Sequence, residues 1–75
     1  MLINQESIFE SSHIEKCMYD YTTNTLKVRF KSGATYEYFN VSPEVYNNLA
    51  QAESQGKFFN ENIKNNYDFN QLLLD

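Results

Sequence analysis

Between Leu26 and Lys31 apolar and basic residues alternate without a break, with Leu26, Val28 and Phe30 in one parity and Lys27, Arg29 and Lys31 in the other. Successive side chains of an extended chain point to opposite faces, so this period of two specifies a strand with one face buried and one in water. Ser32–Gly33 follows, with the chemistry of a tight hairpin turn. Ala34, Tyr36 and Tyr38 then share one face of a next strand, and Thr35, Glu37 and Phe39 the other. Upstream, His13 to Tyr21 predicts a further strand with a broken parity. A bulge near Glu15–Lys16 restores it, because one extra residue lets Ile14, Cys17 and Tyr19 point the same way. Thr22-Thr23-Asn24 supplies the polar turn between these strands. Three strands joined by short turns make an antiparallel meander.

After Val41 the period changes. Ser42-Pro43-Glu44-Val45 is a helix start, with Ser as N-cap and Pro at the first helical position. Val45, Tyr46, Leu49 and Ala52 then recur at helical spacing, which predicts a helix to about Ser54, ended by Gly56. A second helical stretch carries Phe58, Phe59 and Ile63, with Tyr67 beyond. The expected fold is α+β in the order βββαα, a three-stranded antiparallel meander with both helices on one face. Residues 1–11 read as an N-terminal arm with one short element around 6–10, residues 12–69 as the domain, and residues 70–75 as an apolar tail. The tail's Leu72-Leu73-Leu74 calls for cover by the domain or by another chain.

Seventy-five residues make one domain with a thin core, which six Tyr and six Phe help to close. The net charge of −4 is the wrong sign for a domain that grips phosphates over a broad surface. Cys17 is the only cysteine, so no internal disulfide and no cysteine-based metal site can form; its expected role is a small buried hydrophobe in a reducing compartment. The N-terminal stretch has no basic region followed by an apolar run, and no segment reaches membrane-spanning length. A cytoplasmic location is therefore expected. Abundant Asn beside two Gly and one Pro suggests AT-rich coding, as in a low-GC bacterium or its phages.

The ordered set Ser11-Ser12-x-Ile14, Tyr19-Asp20, Leu26-x-Val28-x-Phe30 with Gly33, Tyr36-x-Tyr38, Val41-x-Pro43, Tyr46, Leu49 and Ala52-x-Ser54-x-Gly56-x-x-Phe59-Asn60-x-x-Ile63-Lys64 resembles the KTSC domain. That family is named for its place at the C-terminus of some lysyl-tRNA synthetases, and similar domains occur alone as short bacterial and phage proteins. The resemblance spans about residues 11–69. The resemblance implies no established activity; the function proposed for the family is RNA binding, from the synthetases the domain accompanies. Family members tend to be basic around the final helix and tail, whereas here the stretch from Asn62 to Asn70 carries one Lys and one Asp.

Lys27, Arg29 and Lys31 are three of six cationic residues, and their spacing places them on the outer sheet face about 6–7 Å apart. They form a candidate track for a phosphate backbone, with Phe39 as a stacking platform. The alternative is a solvated strand face paired across the sheet to residues such as Glu37. Tyr36-x-Tyr38 is either a ligand face or core packing near Tyr19, Tyr46 and Phe59. His13, the only histidine, lacks the partners a metal site needs; on one strand it would lie roughly 13 Å from Cys17, too far to activate the thiol. Asp20 is expected to cap the first turn. The leading expectation is thus a non-enzymatic binding or adaptor module with an unidentified protein partner and no cofactor or metal. A second version binds RNA or single-stranded nucleic acid through Lys27, Arg29, Lys31 and Phe39. An inhibitor of a host nucleic-acid enzyme and a small enzyme resting on Tyr19, Asp20 and His13 come behind. A homodimer through the leucines and a free strand edge completes the expectations.

Overall fold

The computed structural model describes residues 4–8, as backbone, and 13–72. The chain runs β1 (Asn4–Ile8), β2 (Ile14–Asp20), β3 (Thr25–Phe30), β4 (Thr35–Tyr38), α1 (Pro43–Gln51), α2 (Gln55–Asn62) and β5 (Phe69–Leu72). The strands form one sheet in the order β1-β2-β3-β4-β5, every neighbouring pair antiparallel. The expected α+β class and its three central strands are present. The three-stranded βββαα order is corrected: β1 precedes it within the segment read as an arm, and β5 follows the helices and extends into the apolar tail. Neither added strand shows apolar alternation. Each is held through its backbone, β1 by pairing Asn4–Ile8 with Lys16–Asp20, and β5 by pairing Phe69 with Tyr38 and Leu72 with Thr35.

The bulge lies where parity demands it. The β2–β3 register shifts between Ile14 and Lys16, and Ile14, Cys17 and Tyr19 are all fully buried. Across from them Leu26 and Val28 are buried on β3, and Tyr38 on β4. The helical layer adds Val41, Tyr46, Leu49, Phe59 and Ile63 to the same core. Tyr19 stacks on Tyr46 with centroids 4.9 Å apart and planes 11° from parallel, while Phe59 meets Phe30 and Tyr38 edge-on at 5.6 and 5.4 Å. Both helices therefore pack on one sheet face.

Turns and caps follow local chemistry. Asp20 accepts from the Thr22 amide at 2.8 Å, as expected of a residue that closes a turn with its side chain. Gly33, at φ 99°, occupies a backbone region that L side chains rarely adopt; its amide donates to the Phe30 carbonyl at 2.9 Å. Asn24 and Asn40 also have positive φ, which Asn tolerates better than most residues. Ser42 caps α1 by accepting from the Val45 amide, with Pro43 in the first turn. The expected end of α1 near Ser54, with Gly56 as the stop, is corrected. The helix ends at Gln51, and the Ala52 backbone is already extended. Ser54 instead caps α2, accepting from the Lys57 amide at 3.3 Å, and Gly56 sits buried within α2. Competition from this second cap turns the chain earlier than the apolar spacing alone suggests.

Candidate binding cleft

Five strands at about 4.8 Å spacing make a sheet roughly 19 Å across, and α1 and α2, at about 1.5 Å per residue, are each under 14 Å long. At the β4–β5 side the helix-facing surface holds an open cleft of about 550 Å³. Tyr36 and Tyr38 enter its lining because a strand turns every second residue to the same side. Phe69, opposite Tyr38 in the β5 register, continues that surface. From α2 and the turn after it come Phe59, Asn60, Lys64 and Asn65, and Phe30 and Ala34 flank the β3–β4 turn.

The lining is an aromatic network. Tyr36 touches Phe30 and Phe69 with centroids 5.8 Å away in each case, and Tyr38 touches Phe69 at 5.7 Å. Phe69 nevertheless remains 54% exposed, the largest exposure of any large apolar side chain among the described residues. Burial, with Tyr36 as a lesser contributor, pushes the Tyr38 phenol up to about 12. Tyr38 thus stays neutral throughout the physiological range. The polar groups of the lining are His13, Ser32, Asn60, Lys64, Asn65 and the two phenols, and it contains no carboxylate. A surface of this kind can take up a flat or branched apolar group and give it oriented polar contacts.

The residues expected to form a basic stripe lie elsewhere. Lys27 is on the outer face between Met18 and Glu37 in register, beside a hollow also lined by Asp20. Arg29 lies between Lys16 and Thr35, with its Nε 3.5 Å from Glu15 Oε2. Lys31 falls just past the end of β3, and its amide donates to the His13 carbonyl at 2.8 Å. Phe39 falls past the end of β4 and lines a separate hollow with Asn40 and residues 65–68, away from all three cations. The structure therefore places Lys27 and Arg29 on one face without gathering the four residues at one site.

Tyr19, Asp20 and His13 are also divided. The Tyr19 hydroxyl donates to the Val41 carbonyl, Asp20 closes its turn, and His13 lies at the cleft. Cys17 is buried, and desolvation pushes its thiol well above the usual range, which favours the inert neutral form. Among the described residues no three His, Cys, Asp or Glu side chains come together as a metal site. No described helix is long and apolar enough to cross a membrane.

Sequence reasoning missed the cleft, although parts of it were visible. Tyr38 belongs to the core and Tyr36 packs, half-buried, against it, and both rings line the cleft. Phe59, Asn60 and Lys64 belong to the last block of the family-like pattern. Phe69 carried no signal of its own, because its role depends on β5 joining β4.

Fold and cleft define a small α+β domain with an open aromatic cleft on the helix-facing side of its sheet. The KTSC domain model matches residues 10–67, and the chain belongs to that family. A lysine–tRNA ligase from Nostoc punctiforme is 44% identical over 63 residues, which cover 84% of this chain and 11% of the ligase. A protein from Tsukamurella paurometabola is 49% identical over 55 residues, covering 73% of this chain and 82% of that one. The crystal structure of a KTSC domain protein from Yersinia pestis superimposes with a TM-score of 0.88 at 28% identity, covering 93% of this chain and 99% of the other. The chain thus matches about a tenth of the ligase's length and nearly all of the Yersinia domain.

Proposed function

We propose that this chain is a non-enzymatic, cytoplasmic protein-interaction module whose binding surface is the aromatic cleft between α2 and β5. The observation that carries this reading is Phe69, more than half exposed at the mouth of a cleft already floored by Tyr36 and Tyr38. Aromatic side chains in a concave site are the usual anchors of protein recognition, because they bury much area with few rotatable bonds. The possible catalytic groups Tyr19, Asp20 and His13 are spread over different environments, which favours binding over catalysis.

Selection of random displayed peptides tests the reading. Wild-type chain is expected to enrich a peptide family, and Phe69→Asp, with its fold checked by circular dichroism, is expected to enrich none. Equal enrichment by both, or none by either, sinks it.

A second reading takes its support from the lysine–tRNA ligase relatives, whose name states an activity on tRNA. In that version Lys27, Arg29 and Lys31 contact RNA phosphates and Phe39 stacks on a base. It requires binding that weakens steeply with salt and is lost in Lys27→Glu/Arg29→Glu. The Glu15 pairing of Arg29 and the position of Glu37 opposite Lys27 give it less support than the cleft has.

A further inference from the structure

The cleft adjoins β5, the last strand of the sheet; among the described residues no strand lies on its far side. An edge strand presents a row of outward N–H and C=O groups, which another extended peptide matches and a nucleic acid does not. Phe69 and Gln71 pair with Tyr38 and Tyr36, so they share the cleft face. A peptide added beside β5 would turn every second side chain to that same face.

The charge of the lining narrows the choice. The chain carries −4 overall, yet none of the eleven lining residues is acidic. An incoming carboxylate would meet the Lys64 ammonium and the carboxamide N–H groups of Asn60 and Asn65. An incoming ammonium would meet no carboxylate there. Repulsion by acidic groups elsewhere on the chain is largely screened beyond about 8 Å at physiological ionic strength.

We infer that the partner is an extended peptide segment that adds to the β5 edge, seats one large apolar side chain against Tyr36 and Phe69, and directs an Asp or Glu two positions away, on the same face of the added strand, to Lys64. This rests on the cleft being the binding surface of a protein-interaction module. The four residues of β5 offer only a short edge, so the expected affinity is in the micromolar range.

Fluorescence polarisation with labelled octapeptides tests it. The first peptide has a central Phe, two Glu and otherwise Thr and Ser; the second replaces Glu by Lys; two more are N-methylated at alternate residues, one in each register. The Glu peptide is expected to bind. One N-methylated register should bind about tenfold or more weakly, because its donors toward β5 are gone. The Lys peptide should bind several-fold more weakly than the Glu peptide, and Lys64→Glu should invert that preference. Equal binding of both methylated peptides, or tighter binding of the Lys peptide to wild type, overturns the inference. No binding of any octapeptide while displayed peptides are still enriched in a Phe69-dependent way overturns the partner chemistry and leaves the module reading standing. Failure of both experiments removes both.

Discussion

The Tyr19 hydroxyl donates a hydrogen bond to the carbonyl oxygen of Val41, 22 residues further along the chain. It ties the end of β2 to the segment that leads into α1. The Val41 amide in turn donates to the Asn24 carbonyl at 2.9 Å, and Asn24 Oδ1 lies 3.2 Å from the Tyr19 hydroxyl. Removing that hydroxyl leaves a buried carbonyl short of its partner. Tyr19→Phe keeps the ring that stacks on Tyr46, so the hydrogen bond is the main loss. Urea unfolding is expected to show destabilisation by about 1–3 kcal/mol. An unchanged midpoint would show that the bond adds nothing net.

Thr35 makes the opposite case. It is 7% exposed, and its hydroxyl meets no hydrogen-bond partner among the described residues. Thr35→Val keeps the β-branched shape that suits a strand and removes the unpaired polar group. It is expected to stabilise the fold by about 1 kcal/mol, read from the same urea transition. Destabilisation would mean the hydroxyl has a partner in solution.

At Gly33 the backbone sets the cost of substitution. A Cβ built there meets nothing within 4 Å, so Gly33→Ala introduces no clash. The φ of 99° is the obstacle. The substitution is expected to cost about 1–3 kcal/mol from strain alone, with a circular dichroism spectrum unchanged at low temperature. A cost near zero would require the β3–β4 turn to relax to negative φ.

Alkaline pH should unfold the domain gradually. Burial raises the Tyr19 and Tyr38 phenols, Tyr38 to about 12, and raises the Cys17 thiol as well. In the unfolded chain phenols ionise near 10 and a thiol near 8.5. The native state therefore holds more protons than the unfolded state above those values, and stability falls as pH rises. The fold should keep the contributions of these groups at neutral pH, begin to lose the thiol term above about 8.5, and lose the Tyr38 term between about 10 and 12. Urea midpoints at stepped pH check this, and Tyr38→Phe should flatten the upper part of the decline. A midpoint that rises between pH 10 and 12 would refute the sign.

Cys17 offers a separate probe. Buried and held protonated, it should resist a thiol reagent such as 5,5′-dithiobis(2-nitrobenzoate) in the native state at pH 8 and react promptly in urea. Rapid native reaction would show that β2 opens far more readily than its central place in the sheet implies.

Local chemistry by itself determined a good part of this protein. The alternation of Leu26 to Lys31, the Gly33 turn, the bulge before Lys16 and the Ser42 cap are each decided by residues within a few positions of one another. Such features are legible because side-chain periodicity and capping chemistry act over one turn or one strand. Only the tertiary structure decided that Asn4–Ile8 and Phe69–Leu72 are strands. Edge strands are held by backbone hydrogen bonds to the strand beside them, and these ask for no apolar pattern in the strand itself. The cleft has the same origin. It exists because β5 sets Phe69 beside Tyr38, with Phe59 of α2 also in the lining, an arrangement no local run of residues encodes.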